Sequence, residues 1–408
     1  MTSTVEASEF QSGARLADRA LAPEMRRAFW GVMISFIVHG LVVSTWVSRI
    51  ASIKTLLHMG DGALGLALLG TAIGSIAAIP VCGALVSRFG SRSIVQWTGL
   101  GFCIVMVLPA VAWSGWTLFL ALLSYGALAG ANDVAMNAQA VGTERFLGTP
   151  TMSRFHAMFS LGGIAGASAG GLIASRGTLP LPHFAGGAVL FMFLAIVGPK
   201  LMADTRASAI GGQQAHARIR RIPPSLVVLS AIGFCIFLSE GAIADWTGVY
   251  LKQILGASEG LAPAGYAVFS AAMAIFRFVG DAIILRIGRV STIRIGALLA
   301  ACGIALALSV HSSAWALVGF AAAGAGFSSI IPIVFAAGGR IASVAEGAGV
   351  ATVSGIGYLG FLAGPPAIGF IAEITSLRVG LGLLVILSLA AALLVSVVER
   401  TDRRLLCQ

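Results

Sequence analysis

Long apolar runs recur along the whole chain, separated by short polar stretches. A hydrocarbon core roughly 30 Å thick is crossed by about 20 helical residues, and twelve runs approximately reach that length. We therefore predict an all-α polytopic membrane protein with twelve transmembrane helices. They are numbered here as segments one to twelve, at residues 28–48, 63–87, 94–113, 116–140, 151–174, 184–203, 226–251, 262–285, 292–310, 313–338, 343–372 and 378–398.

Composition supports the same class. The chain is 58% apolar and 10% charged, with a mean hydropathy of +0.95, which excludes an ordinary water-soluble globule. The polar first 27 residues contain no apolar core followed by a cleavage site, so we expect the first segment to be retained. The five scattered cysteines fit reduced, buried small residues better than disulfides or a metal site.

The distribution of basic residues predicts the orientation. With both chain ends inside, 20 of the 26 Lys and Arg residues lie in or beside cytoplasmic stretches, and five lie outside. This bias is the positive-inside rule, and it predicts a multi-pass inner-membrane protein with both termini in the cytoplasm. The net charge of +10 then needs no nucleic-acid partner to explain it.

A short basic loop motif occurs twice, about 198 residues apart. The first copy reads Gly83-Ala-Leu-Val-Ser-Arg88-Phe-Gly90-Ser-Arg92, and the second reads Asp281-Ala-Ile-Ile-Leu-Arg286-Ile-Gly288-Arg289. The same offset relates glycines of segments five and eleven, so one half of the chain is a diverged copy of the other. Duplicated six-helix halves are typical of secondary transporters.

One polar stretch divides the chain. It ends at Pro223 and Pro224, where a helix can restart. We predict an amino-terminal bundle with a short cytoplasmic tail at residues 1–203, a cytoplasmic linker at 204–223 and a carboxy-terminal bundle at 224–408.

The loop motif, the duplication and the long central loop resemble the major facilitator superfamily over essentially the whole chain. The resemblance implies two six-helix bundles and assigns the loop motif to the inner gate. That superfamily commonly has an acidic residue where Ser87 stands, and Asp281 is our candidate for the missing charge. The predicted gate residues of the two loops are Gly83, Arg88, Gly90, Arg92, Asp281, Arg286, Gly288 and Arg289.

Two further stretches are most similar to the fucose permease group and its bacterial relatives. They are Gly130-Ala-Asn-Asp133-Val-Ala-Met-Asn137 and His156-Ala-Met-Phe-Ser-Leu-Gly-Gly163. In that group the segment matching the first stretch carries an acidic residue implicated in proton coupling, which points to Asp133. The acidic residue typical of that group's first segment is absent here.

Ionisable groups far from the ends of a segment are the candidate chemistry, because a charge in the membrane costs about 2.5 kcal/mol or more. They are His39, Asp133, Glu240 and Arg277, and they come from both halves. Burial disfavours a charged carboxyl, which lets such a group exchange protons near neutral pH. We therefore predict Asp133 and Glu240 as the proton-coupling residues.

A polar stripe beside Asp133 supplies candidate substrate contacts. The predicted substrate-binding residues are His39, Asn132, Asn137, Gln139, His156 and Arg277. Alternatives remain open: Arg277 and Asp281, four apart on one helix face, form a neutralising pair about as readily. A lone membrane histidine is more often a packed hydrogen-bonding residue, and His156 equally fits the inner gate.

Segment seven carries two acids with different predicted positions. Glu240 and Asp245 are five residues apart, about 140° around a helix, so both should not face one cavity. We predict Glu240 in the central site and Asp245, with Trp246 and Lys252, at the outer rim or gate. Alignment through Trp46 and Trp246 sets His39 opposite Glu240.

These features favour a secondary active transporter of a small polar solute, proton-coupled and working by alternating access. The alternative is a proton/drug antiporter, supported by the Trp, Phe and Met content of the segments. A membrane enzyme is disfavoured because the sequence has neither a phosphate-binding Gly-x-x-x-x-Gly-Lys-[Ser/Thr] loop nor a His-Glu-x-x-His metal pair. We expect no cofactor or metal, and a monomer whose partners are the solute, protons and lipid.

Overall fold

Twelve helical segments cross the molecule in the computed structural model, which describes residues 23–149, 151–203, 223–341 and 348–401. The described residues are helices and connecting turns, and none of them is in a strand. Segments one to six comprise Pro23–Val47 with its continuation Ile50–Leu56, Asp61–Phe89, Ser91–Val105, Gly115–Leu147, Met152–Ser175 and Pro180–Leu201. Segments seven to twelve comprise Pro224–Gln253, Ala264–Ile287, Arg289–Ser309, Ser313–Phe327 with Ile330–Gly339, Ala348–Ile374 and Leu377–Thr401.

The predicted all-α membrane fold is confirmed. Within the described residues, 11 helices are long and apolar enough to span a membrane, and segment eight contributes the shorter apolar helix Ala264–Gly280. Several helices extend beyond their predicted ends, and segment four reaches Leu147 rather than residue 140. The predicted linker at 204–222 lies outside the described residues.

The duplicated loop motif adopts the same backbone conformation in both copies. Gly90 and Gly288, 198 residues apart, have φ of +83° and +79°, and each ends one helix and precedes the next. A side chain at positive φ is strained, so glycine is the residue that permits this tight reversal. These two glycines allow segment three to begin directly after segment two, and segment nine directly after segment eight.

Backbone contacts through glycine hold segment one against segment five. A Cβ on Gly40 would lie 2.1 Å from the carbonyl oxygen of Phe159, and a Cβ on Gly162 would lie 2.3 Å from that of Ile37. Helices without side chains at the crossing approach closely and gain dispersion contacts, the usual source of helix association in lipid.

The equivalent crossing of segments seven and eleven exchanges the large and small residues. Phe237 stands in the place of Gly40, and Gly357 stands in the place of Phe159, with a Cβ on Gly357 only 2.4 Å from the Phe237 ring. The duplication therefore preserves the packed volume while reversing which helix supplies the ring.

This packing corrects the predicted alignment of segment one with segment seven. Gly162 contacts Ile37, and its counterpart Gly360 contacts Phe234, so the offset is 234 − 37 = 197 residues. Glu240 is then equivalent to Val43, not to His39. The alignment through the two tryptophans was wrong because the glycine crossing, rather than ring position, fixes the register of these helices.

The two bundles meet along two helix pairs, segments two with eleven and five with eight. A Cβ on Gly65 would lie 2.6 Å from the carbonyl oxygen of Pro365, and one on Gly171 would lie 2.6 Å from that of Gly260. These contacts lie toward the ends of the bundles that carry Asp61 and Gly260. The basic loop motifs lie at the opposite end.

The glycine crossing predicts a specific stability loss. Gly162→Ala places a methyl group against the backbone of segment one, and we expect destabilisation of about 1–3 kcal/mol, as for other overpacked sites. Gly186→Ala is the matched control, because a Cβ there meets no atom within 4 Å. Thermal unfolding of the two purified variants in one detergent compares them. Equal melting temperatures would contradict a tight crossing at Gly162.

Candidate functional site

A cavity of ≈ 280 Å³ lies between the two bundles. Segments one, two and four supply one side, and segments seven and eleven supply the other. The lining residues are Val43, Trp46, Val47, Leu68, Thr71, Ala72, Ser75, Ile76, Tyr125, Ala129, Gly241, Ala244, Asp245, Tyr358, Phe361 and Pro365. Most of this wall is apolar or aromatic, so its few polar groups decide what it binds.

Charged side chains join the two bundles at one end of this cavity. Lys54, at the end of segment one, donates to Asp61 at 2.5 Å and to Gln253 of segment seven at 2.8 Å. Lys252 donates to Thr55 at 2.9 Å and pairs with Glu259. Each lysine thus donates a hydrogen bond to a side chain of the opposite bundle.

Two further hydrogen bonds complete this closure. Ser52 donates to Glu259 at 2.6 Å, and the backbone N–H of Gly62 donates to Glu373 at 2.9 Å. We refer to the whole set as the charged clamp. It consists of Ser52, Lys54, Thr55, Asp61, Gly62, Lys252, Gln253, Glu259 and Glu373.

Electrostatics favour the ionised clamp. Burial opposes the charged form of Glu259, but hydrogen bonds from Lys252 and Ser52, with the charges of Lys252 and Arg49, outweigh it and lower the pKa of that carboxyl. The Lys252–Glu259 pair lies within the carboxy-terminal bundle and remains partly exposed, so it contributes modestly, about 0–1 kcal/mol, by holding Glu259 where Ser52 of the other bundle donates to it. A closure held by several individually weak contacts can open again.

The basic loop motifs are not packed in this way. A Cβ on Gly83, Gly90 or Gly288 would meet no atom within 4 Å, and the side chains of Arg88 and Arg286 are exposed. Arg88 lies over its neighbour Phe89, with 5.1 Å between the guanidinium carbon and the ring centroid. Arg92 and Arg289 are half-buried. The side chain of Asp281 lies outside the described residues.

Asp133 is half-buried in segment four. Asn137 donates to its carboxylate at 3.1 Å and to its carbonyl oxygen at 2.9 Å. Tyr358, which lines the cavity from the other bundle, lies within electrostatic range of this carboxylate. Asp133 and Asn137 therefore form a polar pair whose charge reaches the cavity wall.

The other predicted polar residues of segment four serve packing. Asn132 is buried, donates to Nδ1 of His39 at 3.0 Å and accepts from Thr98 at 3.0 Å. Gln139 is fully buried, accepts from Ser91 at 2.6 Å and donates to the carbonyl oxygen of Ala203 at 3.0 Å. These contacts connect helices within the amino-terminal bundle, away from the residues that line the cavity.

Glu240, His156 and Arg277 form a second charged group. Arg277 acts electrostatically on both Glu240 and His156, and its Nε donates to the carbonyl oxygen of Ser328 at 3.3 Å. His156 and Arg277 are exposed and come from different bundles. One carboxylate oxygen of Glu240 is buried with no hydrogen-bond partner among the described residues.

Asp245 and Trp246 differ from their predicted places. Asp245 lines the cavity and is not part of the charged clamp, whereas Glu240 is not among the cavity-lining residues. Trp246 is fully buried, so its ring packs inside the bundle rather than at an exposed rim. Helix geometry separates the two acids as expected, but the sequence could not tell which face of segment seven the second bundle approaches.

The clamp was the main omission of the sequence analysis. Lys54 and Asp61 are the charged residues that flank the turn between segments one and two, and Glu259 follows segment seven. A signal was present in the sequence, because charged residues cluster near these two short turns, one in each half. Among the clamp residues, only Lys252 had been associated with a gate.

Sequence comparison identifies the family. The Major Facilitator Superfamily model matches residues 28–346 and 230–405. An uncharacterised MFS-type transporter of Yersinia pestis is 36% identical over 361 residues, covering 88% of this chain and 92% of that protein. Membrane protein MosC of Rhizobium meliloti is 31% identical over 379 residues, covering 92% and 90%.

These matches and the two-bundle fold define a membrane transporter. The chain belongs to the major facilitator superfamily. Its closer resemblance to the fucose permease group remains a prediction.

Solved structures share the fold at low sequence identity. The nucleoside transporter NupG superposes with a TM-score of 0.71 at 13% identity, covering 93% of this chain and 100% of that one. A bacterial homologue of the human lysosomal transporter Spinster, in an inward-facing and unoccupied conformation, superposes with a TM-score of 0.71 at 14% identity, covering 95% and 99%.

The clamp should weaken in acid. The pKa of Glu259 is lowered from 4.5, so its contribution to closure is present above pH 4.5 and is lost as pH falls through the lowered value. Nitroxide labels at the exposed Leu56 and Leu261, one on each bundle, report the opening as a distance measured by electron paramagnetic resonance.

We expect a short label distance at pH 7 that lengthens as pH falls below 4.5 and through the lowered pKa of Glu259. Glu259→Gln should increase the open population at pH 7 by up to about fivefold. Glu144→Gln, which removes a carboxylate that caps the turn at Thr151 and Met152, is the control and should change nothing at this end. A label distance at pH 7 that is the same in Glu259→Gln as in the parent protein would refute the role of Glu259.

Proposed function

We propose that this protein is a secondary active transporter that moves a small polar solute by alternating access, coupled to protons. The observation that carries the proposal is the cavity between the duplicated bundles, closed at one end by the charged clamp. Helices of both halves line it, so a rocking motion of one bundle against the other would transfer access from one end to the other.

Proton coupling is assigned to Asp133 and Glu240. A carboxyl in a membrane segment is expensive and is retained for function by default. Glu240 has a buried oxygen without a partner among the described residues, and Asp133 keeps a single amide partner in Asn137. Both can therefore change protonation without breaking an ion pair in the described structure.

The predicted substrate contacts divide into two groups, apart from Asn137, which hydrogen-bonds to Asp133. His156 and Arg277 remain candidates, because they are exposed and lie on opposite bundles. His39, Asn132 and Gln139 are better described as residues that position segment four, since their polar atoms bond to neighbouring helices.

We propose an inner-membrane location with both termini cytoplasmic, and bundles at 1–203 and 224–408 joined by a cytoplasmic linker at 204–223. The basic residues of the loop motifs support this orientation. In that orientation the clamp closes the outer end. We further propose that the monomer is the functional unit, because the cavity is built within a single chain.

A proton/drug antiporter is the second candidate. The cavity wall favours it in one respect, because Trp46, Tyr125, Tyr358 and Phe361 give large apolar and aromatic surfaces. Apolar pockets of this type tolerate varied ligands through dispersion contacts.

The experiment begins with a thermal-shift screen of the purified protein against a metabolite library, since a ligand that binds the folded state raises its apparent stability. A stabilising compound is then tested for accumulation in proteoliposomes under an imposed pH gradient. Gradient-driven uptake of a polar compound supports symport, and gradient-driven expulsion of chemically varied drugs supports the antiporter. Transport that ignores the pH gradient would contradict proton coupling.

Asp133→Asn should separate coupling from binding. Asparagine keeps the size of the side chain and most of its hydrogen bonding but cannot release a proton at physiological pH. We expect gradient-driven accumulation to fall to the level of empty liposomes, while exchange at equal pH persists. Glu144→Gln neutralises a carboxyl on the same segment and should leave accumulation intact. Full accumulation by the Asp133 variant would remove this residue from the mechanism.

A further inference from the structure

The cavity wall carries a single acidic residue, Asp245, among the described residues that line it. The remaining polar groups of the wall are the hydroxyl groups of Thr71, Ser75, Tyr125 and Tyr358 and the indole N–H of Trp46. No Lys, Arg or His of the described chain contributes to this wall. A ligand in the cavity therefore meets one carboxylate in a neutral surround.

Aromatic rings line the same cavity from both bundles. On the amino-terminal bundle, the rings of Trp46 and Tyr125 are tilted, with centroids 6.3 Å apart. On the carboxy-terminal bundle, Tyr358 and Phe361 lie 6.2 Å apart, and Tyr358 stacks on Phe237 at 5.7 Å with planes 10° apart. The two walls belong to different bundles, so a ligand between them touches both halves.

Asp245 has no basic partner within the described residues. The two salt bridges found there, Lys54–Asp61 and Lys252–Glu259, both belong to the clamp. The groups in electrostatic range of Asp245 from neighbouring helices are the neutral phenols Tyr125 and Tyr266. A half-buried carboxylate without a fixed cation is stabilised by a cationic ligand that binds beside it.

The aromatic rings of the cavity wall also favour a cationic ligand. The negative face of a ring attracts a cation, and cages of several rings recognise ammonium groups, including quaternary ones. Two hydroxyl groups of the wall already donate within the protein, Tyr125 to the carbonyl oxygen of Val42 at 3.3 Å and Ser75 to that of Gly126 at 2.8 Å, so few donors are left for a sugar or an acid. The hydroxyl group of Thr71 has no partner among the described residues and can serve a polar group of the ligand. Shape and charge thus select the same class of ligand.

We propose that the cavity binds a compact organic ammonium ion, with its cationic group against Asp245 and its apolar body between the aromatic walls. The proposal rests on the proposed transport function and names the chemical class of its solute. The volume of ≈ 280 Å³ is at the small end of ligand pockets and suits a compact molecule rather than an extended chain.

Isosteric probes test the charge requirement directly. Choline, its neutral carbon analogue 3,3-dimethylbutan-1-ol and the anionic 3,3-dimethylbutanoate have nearly the same shape and differ in charge. Benzyltrimethylammonium adds a ring to the cation. Isothermal titration calorimetry on the purified full-length protein measures the affinity of each probe. We expect binding of the two cations and at least about 30-fold weaker binding of the neutral and anionic analogues.

Variants locate the binding site. Asp245→Asn should weaken cation binding by about 30-fold or more, whereas Asp245→Glu should retain most of it. Tyr358→Leu should weaken binding by about 2- to 30-fold, and Tyr358→Phe, which keeps the ring, should bind nearly as the parent does. Glu144→Gln is the matched control for loss of a carboxylate, and gel filtration verifies that each variant is folded.

The outcomes distinguish this inference from the transport proposal. Cation binding that depends on Asp245, without pH-gradient-driven uptake, supports the site and contradicts proton-coupled transport. Transport of a neutral or anionic solute by a protein that binds neither cation overturns the site and leaves the transporter proposal standing. Equal cation affinity in Asp245→Asn and the parent, or no binding of any probe, also overturns the proposal.

Discussion

The cost of placing charge in hydrocarbon governs this structure. A charged side chain in the membrane interior costs several kcal/mol unless it finds a partner or water. The lysines of the clamp accordingly lie at the ends of segments one and seven, paired with Asp61 and Glu259. The acids deeper in the segments, Asp133, Glu240 and Asp245, lie where the two bundles face each other or a neighbouring helix. These are the acids to which we assign the proton and solute chemistry of the proposed transporter.

The glycine crossings complement this constraint. Apolar side chains gain little by leaving lipid for another apolar surface, so helices associate through close backbone contact. Gly162 and Gly360 bring segments five and eleven against segments one and seven in the same way. The two salt bridges of the described residues each lie within one bundle, at the clamp end, and the bundles are joined there by a few hydrogen bonds to charged side chains, most of them partly buried, which can form and break.

Much of the fold could be predicted from the sequence, because the bilayer leaves few solutions for a chain with long apolar runs. Helix number and the reversals at Gly90 and Gly288 followed from run length and from a repeated motif. The alignment of segment one with segment seven could not be predicted, because it depends on which helix has a glycine and which has a large side chain at each helix crossing. Phe159 and Gly357 are equivalent positions with opposite side chains, which a residue-by-residue comparison does not pair.

The site was less predictable, again because packing between helices decides it. Distance along a helix gives depth, so Asp133 and Glu240 were recognised as membrane-embedded acids. The direction that each acid faces depends on packing between bundles, and this placed Asp245 rather than Glu240 on the cavity wall. Gln139 looked like a ligand contact by composition, but its bonds to Ser91 and Ala203 give it a packing role.

In the proposed transporter, the cavity is accessible from one end of the molecule while the clamp closes the other end. Cysteine labelling tests this access directly. The five native cysteines are replaced, and a single cysteine is introduced at Ala129, which lines the cavity. A membrane-impermeant maleimide is then added to either face of oriented vesicles, and the extent of labelling is measured. With the clamp intact, labelling should come from the face that carries the loop motifs, which is the cytoplasmic face in the proposed orientation. With Lys54→Ala and Lys252→Ala combined, it should shift toward the outer face. Equal labelling from both faces, unchanged by opening the clamp, would contradict alternating access.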